Sequence, residues 1–233
     1  AVMATGTPWL ALAFVLLSKW RVLAVRPRYW LAHIETNMVD FIVSISVVIM
    51  MYGVGQSGAR TAALVQLLLA ALYAVWLLVL KPRSKRSYVV AQAGVAVLAG
   101  TIALAGLSYE WPSSIVVLLM WVIGYSASRH VMNAYDEPDL RLFSFIWGFV
   151  FAQIGWLYYH WTIAYTLPLV TGIRLPQVTI VLFALSFVAE RIYASYVKHE
   201  KITSSDILLP TLLSLGLIFV LEVFFNAAAI GAA

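Results

Sequence analysis

The chain has 233 residues, of which 63% are hydrophobic and 11% are charged, and its mean hydropathy is +0.93. A soluble globular domain is nearer half apolar and a quarter charged, so this composition excludes an ordinary soluble protein. The absence of cysteine excludes disulfide frameworks and cysteine-ligated metal sites. The net charge of +5 does not indicate nucleic-acid binding, because its distribution follows the membrane pattern described below.

Eight segments are long and apolar enough to cross about 30 Å of hydrocarbon as helices. Apolar runs of this length are too long for barrel strands, so the predicted fold class is all-α. We expect a polytopic integral membrane helix bundle in one transmembrane domain over 1–233, with no soluble domain. In chain order the predicted spans are 3–24, 38–54, 59–80, 88–108, 113–133, 140–163, 175–196 and 206–229.

The first two spans depend on charged residues near their ends. Lys19 and Arg21 interrupt the first apolar run, and both side chains can reach the interface if they lie near its end. A seven-span chain with an interfacial first helix is the alternative. Asn37 and Asp40, three residues apart, resemble a capping pair and predict that the second helix begins there.

Lys and Arg residues are concentrated on one side of these spans. The connections after spans 1, 3, 5 and 7, together with the flanking ends of the spans, hold 13 of the 15, and the other side holds only Arg60 and Arg174. Such a bias predicts that the loops near 25–35, 81–87, 134–139 and 197–205 are cytoplasmic, that both termini are outside, and that the chain lies in the plasma or inner cell membrane. The 13 are Lys19, Arg21, Arg26, Arg28, Lys81, Arg83, Lys85, Arg86, Arg129, Arg141, Arg191, Lys198 and Lys201.

Small residues on the sixth span predict a close helix contact. Ser144, Gly148 and Ala152 are spaced by four residues, which places them on one face of a helix. The simplest interpretation is packing inside the bundle. The alternative is contact with a second copy or with another membrane protein, the only partners besides the lipid bilayer that the sequence suggests.

Four polar side chains fall within the predicted membrane region, towards its outer half. Counting residues from the helix ends gives similar depths for Glu222, Gln153, Thr101 and, entering from outside, Gln66. A carboxylate at such a depth needs a partner, a wet cavity or a proton. Glu222 next to Gln153 is therefore our first candidate site, within a polar layer formed by all four. Four unrelated residues, each bonded locally, are the alternative.

A second candidate site lies at the predicted cytoplasmic rim. It comprises Asp40, Arg129, His130, Glu190 and Arg191. An ion pair between Glu190 and Arg129 or Arg191 is the structural interpretation. The functional one is an anion site for a headgroup or phosphate, in which the arginines bind and His130 acts as acid or base.

These features favour a transporter or channel-like protein for a small solute, an ion or a proton. A non-catalytic subunit of a membrane complex is the alternative, and an enzyme acting on lipid-linked substrates at the rim is the third. No nucleotide-binding, metal-binding or haem pattern is present, and the lysines fall at or beyond predicted helix ends, where none can hold retinal. We therefore expect no cofactor and no metal.

Overall fold

The computed structural model describes residues 2–55, 59–161, 163–167 and 170–225. Its long helices alternate in direction and are joined by short connections. The helices are α1 (Val2–Thr5), α2 (Trp9–Ser18), α3 (Trp20–Leu23), α4 (Trp30–Gly55), α5 (Ala59–Val75), α6 (Arg86–Leu107), α7 (Ser113–Ala134), α8 (Leu140–His160), α9 (Gln177–His199) and α10 (Ser204–Val220). Two of them continue into a π-helical turn, α5 through Trp76–Leu80 and α10 through Leu221–Phe225.

Seven helices of the described chain are long and apolar enough to cross a membrane. The chain is therefore a multi-pass membrane protein with an all-α bundle, as its composition predicts. The seven are Pro27–Gly55, Thr61–Leu80, Arg86–Leu107, Ser113–Ala134, Leu140–His160, Gln177–His199 and Ser204–Phe225.

The first predicted span, 3–24, is not one long helix. It is divided into α1, α2 and α3, of which the longest, α2, has 10 residues. This N-terminal segment (residues 2–23) nevertheless lies along α4, where Val2, Ala11 and Val15 pack against Val48. It runs opposite to α4, because Lys19 at its far end reaches back to Asp40.

The start predicted for the second span is wrong. A 3₁₀ turn at Pro27–Tyr29 leads into α4 at Trp30, so the helix begins well before Asn37 and Asp40. Asn37 Nδ2 donates to the backbone oxygen of His33 inside the helix, as a residue of a continuing turn does. The proline fixes the backbone for the first turn, so no Asn or Asp cap is needed.

The two ends of the bundle differ in character. The connections before α4 and between α5 and α6, α7 and α8, and α9 and α10 lie together at one end, which we call the basic end. Contacts across it include Arg86 Nε to the oxygen of Ala134 and Tyr135 to Glu190. The four loops predicted to share one side of the membrane therefore share one end of the bundle.

A β-hairpin, which was not predicted from the sequence, forms part of the opposite end, which we call the hairpin end. Strands β1 (Ala164–Leu167) and β2 (Val170–Pro176) pair antiparallel. Ile173 packs against Val54, Ala62 and Val65, so β2 covers the ends of α4 and α5. The hairpin thus positions the start of α9.

The closest helix contact joins α7 and α8. A Cβ atom added to Gly124 would lie 2.5 Å from Phe151, one on Gly148 would lie 2.8 Å from Trp121, and one on Gly155 would lie 2.5 Å from Met120. Met120 and Phe151 are fully buried there. Glycine therefore lets the two backbones approach to a distance that larger residues prevent.

Candidate functional site

The most unusual polar feature in the bundle is a buried ionic cluster of Lys19, Asp40 and Lys81. Asp40 Oδ2 accepts from the Nζ atoms of both lysines, and the distance to Lys81 Nζ is 2.7 Å. The other oxygen, Oδ1, lies 3.4 Å from the indole nitrogen of Trp76. The side chains of Lys19 and Asp40 are 7% and 10% exposed, whereas Lys81 is 40% exposed. On the Lys81 side, the cluster is therefore not covered by the rest of the described chain.

Three separate segments build this cluster. Asp40 follows the first residue of α4 by ten positions, which is about 15 Å along the helix axis. Lys19 occupies the break between α2 and α3, and Lys81 directly follows the π-helical turn of α5. Lys19 was expected to reach the interface from the end of a span, but it turns inward because Asp40 offers it a counter-charge.

Polar groups continue along the facing sides of α4 and α5. One turn beyond Asp40, Ser44 Oγ donates to the Asp40 backbone oxygen and lies 2.9 Å from the hydroxyl of Tyr73. Ser44 is only 1% exposed. Two turns further along α4, Gln66 Nε2 donates to the backbone oxygen of Met51. We call this line of side chains the polar track and define it as Lys19, Asp40, Ser44, Gln66, Tyr73, Trp76 and Lys81.

A cavity of about 210 Å³ opens at the other end of the polar track. Gln66, which the sequence singled out, is 5% exposed and lies in its wall. The polar track and the cavity together extend from Asp40 to Gly55, 15 residues and about 22 Å along α4. The cavity lining is Val2, Met3, Gly6, Tyr52, Gly55, Ala62, Ala63 and Gln66.

The other three residues of the predicted polar layer have separate surroundings. Glu222 is exposed in the π-helical turn of α10, and Oε1 accepts from Gln177 Nε2 at 3.0 Å. Gln153 is exposed on α8. Thr101 is fully buried and its hydroxyl donates to Thr179 Oγ1 at 2.9 Å. The expectation that Glu222 faces the interior beside Gln153 is therefore wrong, because equal depth does not imply a shared direction.

The rim residues do not form one anion site. Arg129 Nη2 pairs with Glu35 Oε2 at 2.9 Å. His130 Nε2 lies 2.7 Å from Gln92 Oε1, while Gln92 Nε2 donates to the backbone oxygens of Leu80 and Arg83. Because the amide nitrogen is used twice as a donor, Gln92 Oε1 is the acceptor and His130 carries its proton on Nε2. His130 therefore bridges α7 to α6 and the end of α5.

Glu190 is paired at the rim, as predicted, and its partner is Arg191. Arg191 Nε lies 2.7 Å from Glu190 Oε2. The N–H is not aligned with that oxygen, which accepts no hydrogen bond among the described residues. The hydroxyl of Tyr135 donates to the other oxygen at 2.8 Å. Arg129 and Arg191 thus contact different carboxylates, and the expected double-arginine site is absent from the described part of the rim.

The lysines of the ionic cluster were not recognised as site residues from the sequence. A charge inside an apolar run is expensive in lipid, so Lys19 and Asp40, each inside such a run, should have suggested one another as partners. Trp76 and Tyr73 carried no comparable signal, because aromatic residues are frequent in any membrane helix. No cluster of three or more metal-ligating side chains occurs among the described residues.

The small-residue face of α8 is used within the chain. Ser144 is fully buried, Ala152 is 9% exposed, and Gly148 faces Trp121 of α7. This is the intramolecular packing that the spacing of four suggested first.

Comparison with known proteins finds no match to a family model, to a curated protein or to a solved structure.

Proposed function

We propose that this multi-pass membrane protein transports a small solute or ion along the polar track, with the basic end in the cytoplasm. The observation that carries the proposal is the buried cluster of Lys19, Asp40 and Lys81. Lys19 and Asp40 are buried, whereas Lys81 is 40% exposed. Burying an ion pair costs several kcal/mol per ion before pairing, and a structural core gains little from doing so. Ionisable groups within membrane segments characteristically lie on ion and substrate pathways.

Two further features support a pathway at this place. The α5 helix changes to π-helical geometry at Trp76–Leu80, beside the cluster, and such turns are frequent at functional sites. The N-terminal segment (residues 2–23), which packs along α4 and contributes Lys19 to the polar track, consists of short helices with a break at Lys19. A broken segment of this kind can move without unwinding a long helix, and broken helices are typical of transporter sites.

Transport can be tested by offering the protein many solutes of different charge. Purified protein is reconstituted in liposomes on a solid-supported membrane, and charge displacement is recorded after steps in pH and in the concentrations of small cations, anions and zwitterions. We expect at least one step to displace more charge than in protein-free liposomes. Equal signals for every step, together with no uptake of the same solutes in radiolabelled form above that of protein-free liposomes, would overturn the proposal.

The matched variant replaces the whole cluster by neutral residues of similar size, Lys19→Met with Asp40→Asn and Lys81→Met. Removing all three charges leaves none unpaired, so the fold should persist. We expect this variant to melt close to the parent but to lose the charge displacement. Retained transport in a folded triple variant would place the pathway elsewhere.

A further inference from the structure

We propose that the cluster of Lys19, Asp40 and Lys81 binds the carboxylate group of a small monocarboxylate, which exchanges with Asp40 on the lysines. This inference rests on the proposed transport function and names its substrate class. The charge balance of the cluster is the first reason. Two ammonium groups face one carboxylate, which leaves a net charge of +1.

Among the described residues, no further charged group acts on Asp40 or on Lys19. The charged groups that act on Asp40 are Lys19 and Lys81, and those that act on Lys19 are Asp40 and Lys81. Trp76, whose indole N–H faces the second oxygen of Asp40, adds a hydrogen-bond donor but no acceptor. A positive charge that is partly removed from water is stabilised by an anion. The cluster therefore selects an anion over a cation.

The geometry of Asp40 indicates which anion fits. One carboxylate oxygen bridges both lysines while the other faces the indole N–H. This arrangement of donors accommodates a planar, two-oxygen anion. A solute carboxylate has the same shape and charge as Asp40, so it can take the same donors when Asp40 turns away.

Access favours Lys81 as the first point of contact. Its side chain is 40% exposed, whereas that of Lys19 is 7% exposed. A monocarboxylate arriving from the basic end meets Lys81 first and reaches Lys19 only as Asp40 yields. Asp40 remains beside the cluster after it turns, so the incoming carboxylate offsets the excess charge of +1, which limits the electrostatic cost of moving the solute inward.

The experiment measures binding of radiolabelled propionate to purified protein in detergent, by scintillation proximity. We expect saturable binding that unlabelled acetate displaces and propionamide does not. Lys81→Met should weaken binding at least about tenfold, since a neighbouring opposite charge contributes on that order. This variant leaves a balanced pair of Lys19 and Asp40 and should fold. Lys85→Met, which removes an exposed lysine of the same end, is the control and should bind like the parent.

The Asp40→Asn variant tests the direction in which propionate affinity changes. It removes the competing carboxylate, so propionate should bind more tightly by about tenfold or more. A purely structural cluster would instead show no binding in the parent. Weaker binding in Asp40→Asn than in the parent, measured on the monodisperse fraction and well below the melting temperature of the variant, would overturn the exchange.

Two further outcomes separate this inference from the transport proposal. If propionate shows no saturable binding to a protein that displaces charge with other solutes, the assignment of a monocarboxylate as the substrate is overturned. The transport proposal would then remain. Binding that is present in detergent but lost in nanodiscs containing phosphatidylglycerol would also overturn it, because a lipid phosphate would then occupy the lysines. Binding without any charge displacement would support the site and count against transport.

Discussion

Asp40 illustrates how a single residue depends on partners that are remote in sequence. Breaking a buried ion pair by removing one partner costs ~3–5 kcal/mol, because the remaining charge is left without compensation. We therefore expect Asp40→Asn to lower the melting temperature of the detergent-solubilised protein clearly. The triple variant Lys19→Met, Asp40→Asn and Lys81→Met should recover most of the loss. A single variant that melts like the parent would show that water already solvates both lysines.

Tyr135 gives a prediction about how the stability of the protein depends on pH. Burial, assisted by the neighbouring Glu190, raises the pKa of Tyr135 from its ordinary value of 10.0 to about 12. Folding thus favours the protonated phenol, and this contribution to stability is complete below about pH 10 and lost as the pH rises towards 12. Alkaline titration of tyrosinate absorbance, parent minus Tyr135→Phe, should show the tyrosinate of Tyr135 appearing near pH 12. Appearance near pH 10 would mean that the phenol faces water.

At the scale of elements, the contact between α7 and α8 is the most sharply defined. A side chain added at Gly148 meets Trp121 Nε1 at 2.8 Å, so Gly148→Leu must separate the helices or displace the indole. Overpacking of this kind costs ~1–3 kcal/mol or more. We expect a lower melting temperature in detergent. Gly216→Leu on α10 is the control, because an added Cβ there meets nothing within 4 Å.

Element boundaries were predictable where the cause is local. Seven spans follow from apolar length alone, and α7 begins at Ser113 after Pro112 as the sequence indicates. The small-residue face of α8 was also predictable from the sequence, because residues spaced by four lie on the same face of a helix. Lys19 and Arg21 marked an interruption of the first apolar run, but the pairing of Lys19 with Asp40 was not predicted, because the two residues lie on different segments. The pairing of strands 164–167 and 170–176 was missed although these strands contain several β-branched residues and lie near prolines in the sequence.

The candidate site was less predictable than the fold, for a physical reason. Residue counting gives depth along a helix but not the direction in which a side chain points. Glu222 and Gln153 share a depth, yet Glu222 bonds Gln177 and Gln153 is exposed on another helix. Gln66 and Asp40 were each selected as candidates but assigned to different sites. The structure places both on one line between α4 and α5 because their helices face each other.

At the scale of the whole molecule, the distribution of charge predicts an orientation. The connections richest in Lys and Arg lie together at the basic end, and the positive-inside rule predicts that this end faces the cytoplasm. The chain has no cysteine, so single introduced cysteines report sidedness without background. With an impermeant maleimide added outside intact cells, Glu110→Cys at the hairpin end should react, and Ser84→Cys should react only after permeabilisation. Labelling of Ser84→Cys from outside would reverse the orientation.

The same assay decides whether the N-terminal segment crosses the membrane. Val2 packs near Val48 towards the hairpin end, while Lys19 lies beside Asp40 towards the basic end. The segment therefore extends along much of α4 although none of its helices is long. We expect Thr7→Cys, an exposed position, to react from outside, and Arg28→Cys to react only after permeabilisation. If Thr7→Cys instead reacts only from the cytoplasm, the N-terminal segment lies in the membrane interface and the chain crosses the membrane seven times. The polar track would then lose the segment that contributes Lys19.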